Sequence, residues 1–182
     1  MKKLISSIIA IVFALNVSAY AEEKLTIEKQ LVGIVGAISG TVKTETRQLK
    51  AGDKIYLNET IYAGVGAGTQ ILLLDQSTFT IGEDSEVVMD TFVFDPETND
   101  GKIVASVKQG SLKVISGLIS KKNPDALTVE VPEGTLGSRG TEFQTMVSKG
   151  RTDTLLIGPG KNNTLGMRPG AVLVGIILVK LY

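Results

Sequence analysis

The residues of this sequence that could do chemistry are few, and the most concentrated group is Arg139, Gly140, Thr141 and Glu142. They lie within residues 132–147, which read PEGTLGSRGTEFQTMV. An arginine in such a segment can donate hydrogen bonds to carbonyl groups or to Glu142 in its own chain, or it can contact a partner. The segment therefore predicts either closure of the fold or a partner contact, and both alternatives stay open.

The residue types that are missing exclude several classes of site. The sequence contains no Cys, which excludes disulfides, thiolate catalysis and zinc held by cysteines. It contains no His, which removes the usual general base and the commonest metal ligand. The glycine cluster at residues 64–68 is not followed by the Lys-Ser/Thr pair of a phosphate-binding loop. We therefore predict no catalytic residue, no cofactor and no metal site.

A second group of charged residues is the acidic stretch at residues 75–100, which contains eight carboxylates and no Lys or Arg. The chain after Gly101 carries eleven basic residues against five acidic ones. The stretch is therefore either solvated and paired with the basic half, or it forms an acidic patch that meets a partner. The residues of that patch would be Glu83, Asp84, Glu86 and Asp90.

Two patterns in the acidic stretch are similar to known sites, and we reject both. Asp84 and Glu86 would share one strand face, as paired catalytic carboxylates do, but in such an acidic stretch a pair arises by chance. Residues 95–101 read DPETNDG, yet the sixth position of this calcium-like loop is Asp100 rather than Gly. We therefore predict a hairpin turn at residues 95–101 and no enzymatic activity.

The elements that position these residues are strands. The three glycines within residues 134–140 are too dense for a helix interior, where each would cost about 1 kcal/mol relative to Ala. Residues 127–131 and 141–147 alternate in polarity on either side of them, as strands do. Two strands are therefore expected to meet at a glycine-rich corner that contains Arg139.

The rest of the chain has the same character. It lacks an amphipathic helix of useful length, and it shows many short strand patterns with Gly or Pro turns between them. This organisation predicts an all-β fold, as a sandwich, a barrel or a short solenoid. Locally, residues 102–108 and 111–116 predict a hairpin that turns at Gly110. The period-two rule also places Val93 on the same strand face as Met89.

The start of the chain predicts export. A chain of 182 residues has room for one domain. Residues 1–21 combine two lysines, an apolar run and a small-residue cleavage site, the three-part pattern of a secretory signal. We expect cleavage after Ala21, with an uncleaved anchor as the alternative. Residues 22–30 would then form a charged lead-in to a periplasmic or secreted protein.

Charge and length exclude two kinds of partner. The formal net charge is +0, and loss of the two signal lysines would leave 17 basic residues against 19 acidic ones. A net charge near −2 gives no general attraction to nucleic acid. The apolar run at residues 171–182 is shorter than the roughly 20 residues of a membrane-spanning helix. We expect no transmembrane segment after signal cleavage. We interpret this run as a terminal strand, docked on the core or on the outer surface, in a chain that could continue further.

Several segments resemble one known family. The sequence GTLGSRGTEF at residues 134–143 is similar to the closing signature of the ferric citrate regulator (FecR) domain family. The resemblance includes the opening strand VGAISGTVKT and the motif LKAGDKI. It continues through LLLDQSTFTIGEDSEVVMDTFVFDPET and KQGSLKVISG. It places a FecR-like domain at residues 31–147 and a C-terminal β extension at residues 148–182.

The resemblance implies a fold and a role. The fold would be a twisted two-sheet β-sandwich or a short β-helix-like module of many short strands. The role would be that of a non-enzymatic periplasmic interaction or sensing module whose partner is an envelope protein. Family regulators resemble a three-part design with a cytoplasmic segment that binds a sigma factor. Because only three residues precede the apolar run here, we expect this chain to lack that segment.

An alternative function is an envelope polysaccharide-binding or surface-structural protein. Aromatic residues make up 5% of the chain and none is Trp, which disfavours a platform on which sugars stack. The aromatic residues that could still form one are Tyr56, Tyr62, Phe92 and Phe94.

Overall fold

The computed structural model describes residues 29–138, 141–159 and 180–181. Over these residues the chain forms thirteen strands and one short helix, α1 (Leu118–Lys122). The strands are joined in one continuous sheet that is curled and open. The prediction of an all-β fold is confirmed.

The strands range in length from two residues in β2 and β13 to fifteen in β8. The first seven are β1 (Leu31–Ser39), β2 (Val42–Lys43), β3 (Lys54–Tyr56), β4 (Thr60–Ala63), β5 (Gly68–Leu73), β6 (Thr78–Ile81) and β7 (Ser85–Phe94). The later ones are β8 (Gly101–Ile115), β9 (Leu127–Val131), β10 (Gly134–Ser138), β11 (Thr141–Ser148), β12 (Arg151–Pro159) and β13 (Lys180–Leu181).

Strand β8 connects the two parts of the sheet. Its first part, residues 101–109, pairs antiparallel with β7, and residues 103–106 also pair in parallel with β9. Its last part, residues 110–115, pairs antiparallel with β11, and residues 112–115 also pair with β6. One strand therefore has two neighbours along each of its parts.

The strands on either side of β8 fall into two groups. The first group runs in the order β3-β1-β5-β6-β8-β11-β12, and the second runs β2-β4-β7-β8-β9-β10-β13. Hydrogen bonds through β8 join both groups into one network. The finer expectations, a sandwich of two separate sheets or a β-helix-like module, therefore stay predictions.

The bend in β8 occurs at Gly110, whose φ is 82°. A Cβ atom at this position would clash with Ser85 and with the carbonyl oxygen of Asp84, so only glycine fits without strain. The predicted hairpin turn at Gly110 is wrong. The glycine bends the strand without reversing it, because the segments before and after it pair with different strands rather than with each other.

A bulge in β7 overturns a second local prediction. The pairing of β7 with β8 shifts register between Met89 and Thr91. Beyond this shift Phe92 is 2% exposed, whereas Val93 is 58% exposed. Val93 therefore does not share the buried face of Met89, because the extra residue turns each later side chain to the opposite face.

The hydrophobic core lies against one face of each long strand. Its largest fully buried side chains are Phe79 on β6 and Phe143 on β11. Strand β11 confirms the predicted alternation, since Thr145 and Val147 are buried with Phe143 while Met146 is exposed. The stability of the fold therefore depends on a single apolar cluster enclosed by the curled sheet.

The ends of the chain are described only in part. Strand β13 pairs antiparallel with β10, with Leu181 opposite Gly134 and Lys180 opposite Thr135. This pairing agrees with a docked terminal strand, although residues 160–179 lie outside the described residues. The predicted signal and most of the lead-in, residues 1–28, also lie outside them. Within the part of the chain that the structure describes, no helix is long and apolar enough to cross a membrane.

Substitution of Gly110 tests the role of the bend. Gly110→Ala is expected to lower the free energy of unfolding by about 1–3 kcal/mol, because the new Cβ meets Ser85 in a backbone conformation that L-residues rarely adopt. Chemical denaturation would measure the change. The matched control is Gly64→Ala, where the Cβ would lie 3.4 Å from its nearest neighbour. Equal stability of the two variants would contradict the assigned role.

Candidate functional site

The strands predicted at residues 127–131 and 141–147 are present as β9 and β11, and β11 pairs with β8. The prediction of a glycine-rich corner is wrong for residues 134–138, which form strand β10. The chain turns earlier, at residues 132–133, so these glycine-containing residues pair antiparallel with β9. Arg139 and Gly140 lie outside the described residues, and Thr141 begins β11. Glu142 forms an ion pair of 2.6 Å with Lys113 on β8. This pair anchors the start of β11, while the choice between fold closure and partner contact stays a prediction.

A buried carboxylate that the sequence does not distinguish from its acidic neighbours lies in the turn between β5 and β6. Asp75 is fully buried, and its carboxylate accepts hydrogen bonds from the backbone N–H of Ser77 (3.0 Å) and from its hydroxyl (2.8 Å). The Ser77 hydroxyl oxygen accepts a hydrogen bond of 2.9 Å from the N–H of Gly117. These bonds tie the turn to the segment that leaves β8. The signal for it was the Asp-x-Ser pattern of a turn.

The predicted acidic patch is spread over a turn and a strand. Glu83 and Asp84 lie together in the turn between β6 and β7, whereas Glu86 and Asp90 lie along β7. Asp90 accepts a hydrogen bond of 2.6 Å from the hydroxyl of Ser106 on β8. The structure therefore brings Glu83 and Asp84 together and places the other two further along the sheet.

Glu83 and Asp84 line a groove of about 620 Å³. The groove is also lined by residues 108–111 of β8, by residues 132–133 between β9 and β10, and by residues 146–150 at the end of β11 and in the turn to β12. The lining therefore carries charges of both signs together with apolar side chains. The sequence did not reveal this groove, because it is assembled from turns that lie far apart in the chain.

The hairpin turn predicted at residues 95–101 is confirmed by the antiparallel pairing of β7 with β8. The Thr98 hydroxyl donates a hydrogen bond of 2.7 Å to the Asp95 carboxylate. This bond and the backbone N–H of Glu97 hold the pKa of the Asp95 carboxyl below its ordinary value of 3.8. Nearby, Lys122 from the basic half of the chain forms an ion pair of 2.7 Å with Asp100. Part of the acidic stretch is therefore used in local structure.

The face of the first strand group that points away from the core carries a row of exposed apolar side chains. Ile34 on β1 pairs with Leu72 on β5, Leu72 with Thr78 on β6, and Thr78 with Ile115 on β8. The side chains of Ile34, Leu72 and Ile115 are 44%, 42% and 40% exposed. The next row of the same face is polar, with Gln70, Thr80, Lys113 and Gln144. We call this surface the outer face.

Exposed apolar side chains are concentrated on the outer face. Nine large hydrophobic side chains are exposed among the described residues, and Val65, Leu74 and Val93 are the three that do not lie on strands of the first group. The six that do are Ile34, Leu72, Ile115, Met146, Leu155 and Ile157. Proteins rarely expose many apolar side chains on one face, so this face is a candidate interaction surface.

Metal chemistry finds no support in the described ranges. Over residues 29–138 and 141–159, no group of three or more Asp or Glu side chains is placed to hold a metal ion. Glu59 is instead held by Arg47, at 2.6 Å, and this ion pair raises the pKa of the guanidinium. The charged groups described so far therefore act mainly as structural contacts.

Acid titration tests the Asp95 turn. Because its folded-state pKa is depressed, Asp95 stabilises the protein above its unfolded pKa, and this contribution is lost as pH falls through the folded pKa. Asp95→Asn is therefore expected to be less stable than the parent chain at pH 7 and equally stable in strong acid. Thermal unfolding between pH 7 and pH 2 would measure this. A stability difference that does not change with pH would contradict the assigned pKa.

Substitution of Arg139 tests the two roles of the corner. Arg139→Ala is expected to lower the melting temperature, because a buried carbonyl or carboxylate group would lose its donor. Arg139→Lys is the control, since it keeps the charge but not the planar set of donors. An unchanged melting curve together with lost partner binding would instead assign Arg139 to a partner contact.

Comparison with known families matches residues 59–157 to the family described as FecR protein. No curated protein and no solved structure matches the chain. The matched residues include the groove, the Lys113–Glu142 ion pair and most strands of the outer face. The match covers more than half of the 182 residues, and the chain therefore belongs to the FecR family, whose domains are sensing or regulatory modules.

Proposed function

We propose that this chain is a non-enzymatic interaction or sensing module of the bacterial periplasm, and that it contacts another envelope protein through its outer face. Family membership supports the sensing or regulatory role. The observation that carries the proposal is the exposed apolar row of Ile34, Leu72 and Ile115. The location rests on the signal-like pattern of residues 1–21.

The outer face has the composition of a protein interface. The apolar row lies across four paired strands and has a polar row on one side. A specific interface usually combines apolar side chains at its centre with polar ones around them. Covering the row would remove apolar surface from water, and this stabilises a complex by about 25 cal/mol for each Å² that is buried. A partner with a flat apolar patch therefore fits this face better than a small ligand does.

The contacts of the charged side chains support a non-enzymatic role. The Lys113–Glu142 and Arg47–Glu59 ion pairs fix the positions of strands and loops. Asp75 is fully buried and hydrogen-bonded within its own turn. These charged groups stabilise the fold. The exposed apolar row has no comparable structural role.

The alternative, a polysaccharide-binding protein, has less support. Lys29 and Arg47 lie over the ring of Tyr56, at 5.9 and 5.8 Å from its centroid. Phe92 is buried in the core. Two of the four candidate aromatic residues therefore do not offer a free ring to a sugar. A glycan array without a signal above background would end this alternative.

Crosslinking in the native envelope tests the proposed function. The tagged chain is crosslinked in cells, and the captured proteins are identified by mass spectrometry. We expect one dominant envelope protein, and we expect Leu72→Thr with Ile115→Thr to reduce its capture at least tenfold. Threonine is tolerated in strands, so the stability of this variant should change by less than about 1 kcal/mol.

Two control variants show which surface is used. Val93→Thr removes an apolar side chain that is more exposed than Leu72 or Ile115 and lies away from the outer face, and it should leave capture unchanged. Glu83→Gln with Asp84→Asn neutralises the acidic turn of the groove. Capture that is lost only in this acidic variant would move the contact from the outer face to the groove. Equal loss in all variants, or no captured protein, would contradict the proposal.

A further inference from the structure

Strand β12 forms one edge of the outer face. It is nine residues long, and within the described residues it pairs with β11 and with no strand on its other side. An edge strand presents a row of unpaired N–H and C=O groups to which another chain can add. Its length makes this edge a candidate for pairing with a further strand.

The charges of β12 are confined to its beginning. Arg151 and Asp153 pair with each other, with Nη2 of Arg151 at 2.8 Å from Oδ1 of Asp153. Residues 154–157 carry no charge, and Leu155 and Ile157 are 65% and 44% exposed. Natural edge strands are usually protected by charged side chains or by proline along their length. The second half of β12 therefore lacks such protection, apart from Pro159 at its end.

Antiparallel pairing of β12 with a second copy of itself depends on where the two-fold axis lies. An axis at Asp153 would place two carboxylates opposite each other, which is unfavourable. An axis at Thr154 would leave each apolar side chain opposite a polar one, with Asp153 opposite Leu155 and Thr152 opposite Leu156. An axis at Leu155 places the two Leu155 side chains opposite each other, Thr154 opposite Leu156 and Asp153 opposite Ile157. This register has an apolar pair at its centre and keeps the two Asp153 residues apart.

We propose that two copies of this chain pair antiparallel along β12, with the two-fold axis at Leu155. The sheet would then continue from one copy into the other, as in an isologous dimer. Because β12 borders the outer face, the two outer faces would lie side by side and form one larger apolar surface. The dimer goes beyond the proposed function and does not depend on the identity of the partner.

The size of the contact predicts a weak dimer. Pairing over about five residues of each strand buries less than the roughly 800 Å² per partner of a standard interface. We therefore expect a dimer that dissociates on dilution, in the micromolar range. A second effect would follow for any partner of the outer face, because two adjacent sites raise the apparent affinity of a bivalent partner.

Sedimentation velocity of the mature chain tests the dimer. We expect monomer and dimer in a ratio that shifts with concentration. Leu155→Lys should raise the dimer dissociation constant at least tenfold, because the two-fold axis would bring two like charges together. Val93→Lys adds the same charge elsewhere and should leave the constant unchanged. A monomer at every concentration, or assemblies larger than a dimer, would overturn the proposal.

Single cysteines test the register, since the chain contains no native Cys. Leu155→Cys should form a disulfide between two copies under mild oxidation, because residues opposite each other in antiparallel strands have Cα atoms about 4.5–5.5 Å apart. Thr152→Cys is the control and should stay reduced, because it would lie opposite position 158 of the other copy. Crosslinking at residue 152 and not at residue 155 would overturn the proposed axis, even if the chain is dimeric.

Discussion

The bend of β8 at Gly110 is the constraint on which the described fold and both candidate surfaces depend. A straight strand of fifteen residues would keep the same neighbours along its length, whereas β8 exchanges β7 and β9 for β6 and β11. The bend itself lines the groove. The part of β8 beyond the bend contributes Lys113 and Ile115 to the outer face and buries Leu112 and Val114 in the core.

Polar contacts hold the end of β8 in place so that the outer face keeps its register. The Lys113–Glu142 ion pair joins β8 to β11, and the hydrogen bonds of Asp75, Ser77 and Gly117 fix the chain that follows. Gly117 allows this close approach, because a Cβ there would clash with Asp75 and Ser77. These contacts fix the strands that carry the apolar row, and a surface fixed before binding would lower the entropic cost of the proposed contact.

Local patterns were sufficient to predict the all-β class, the alternation of residues 141–147, the turn at residues 95–101 and the family. The two local failures, the hairpin at Gly110 and the face of Val93, share one cause: the pairing of strands decides the local geometry. A glycine with positive φ occurs in both hairpin turns and bent strands, and only the pairing partners of the flanking residues decide between them. The bulge that exposes Val93 likewise depends on β8. The outer face was not predicted, because its row joins residues 34, 72, 78 and 115 through the register of four strands.

The shared strand also has a consequence for how the protein folds. Neither strand group can be completed before residues 101–115 have been added, because β8 is an inner strand of both. The segments before it can form hairpins, but these are marginally stable on their own. The two groups should therefore gain and lose structure together, in one cooperative transition, despite their different strand neighbours. Many pairings also join residues far apart in sequence, so the domain should fold slowly for its size.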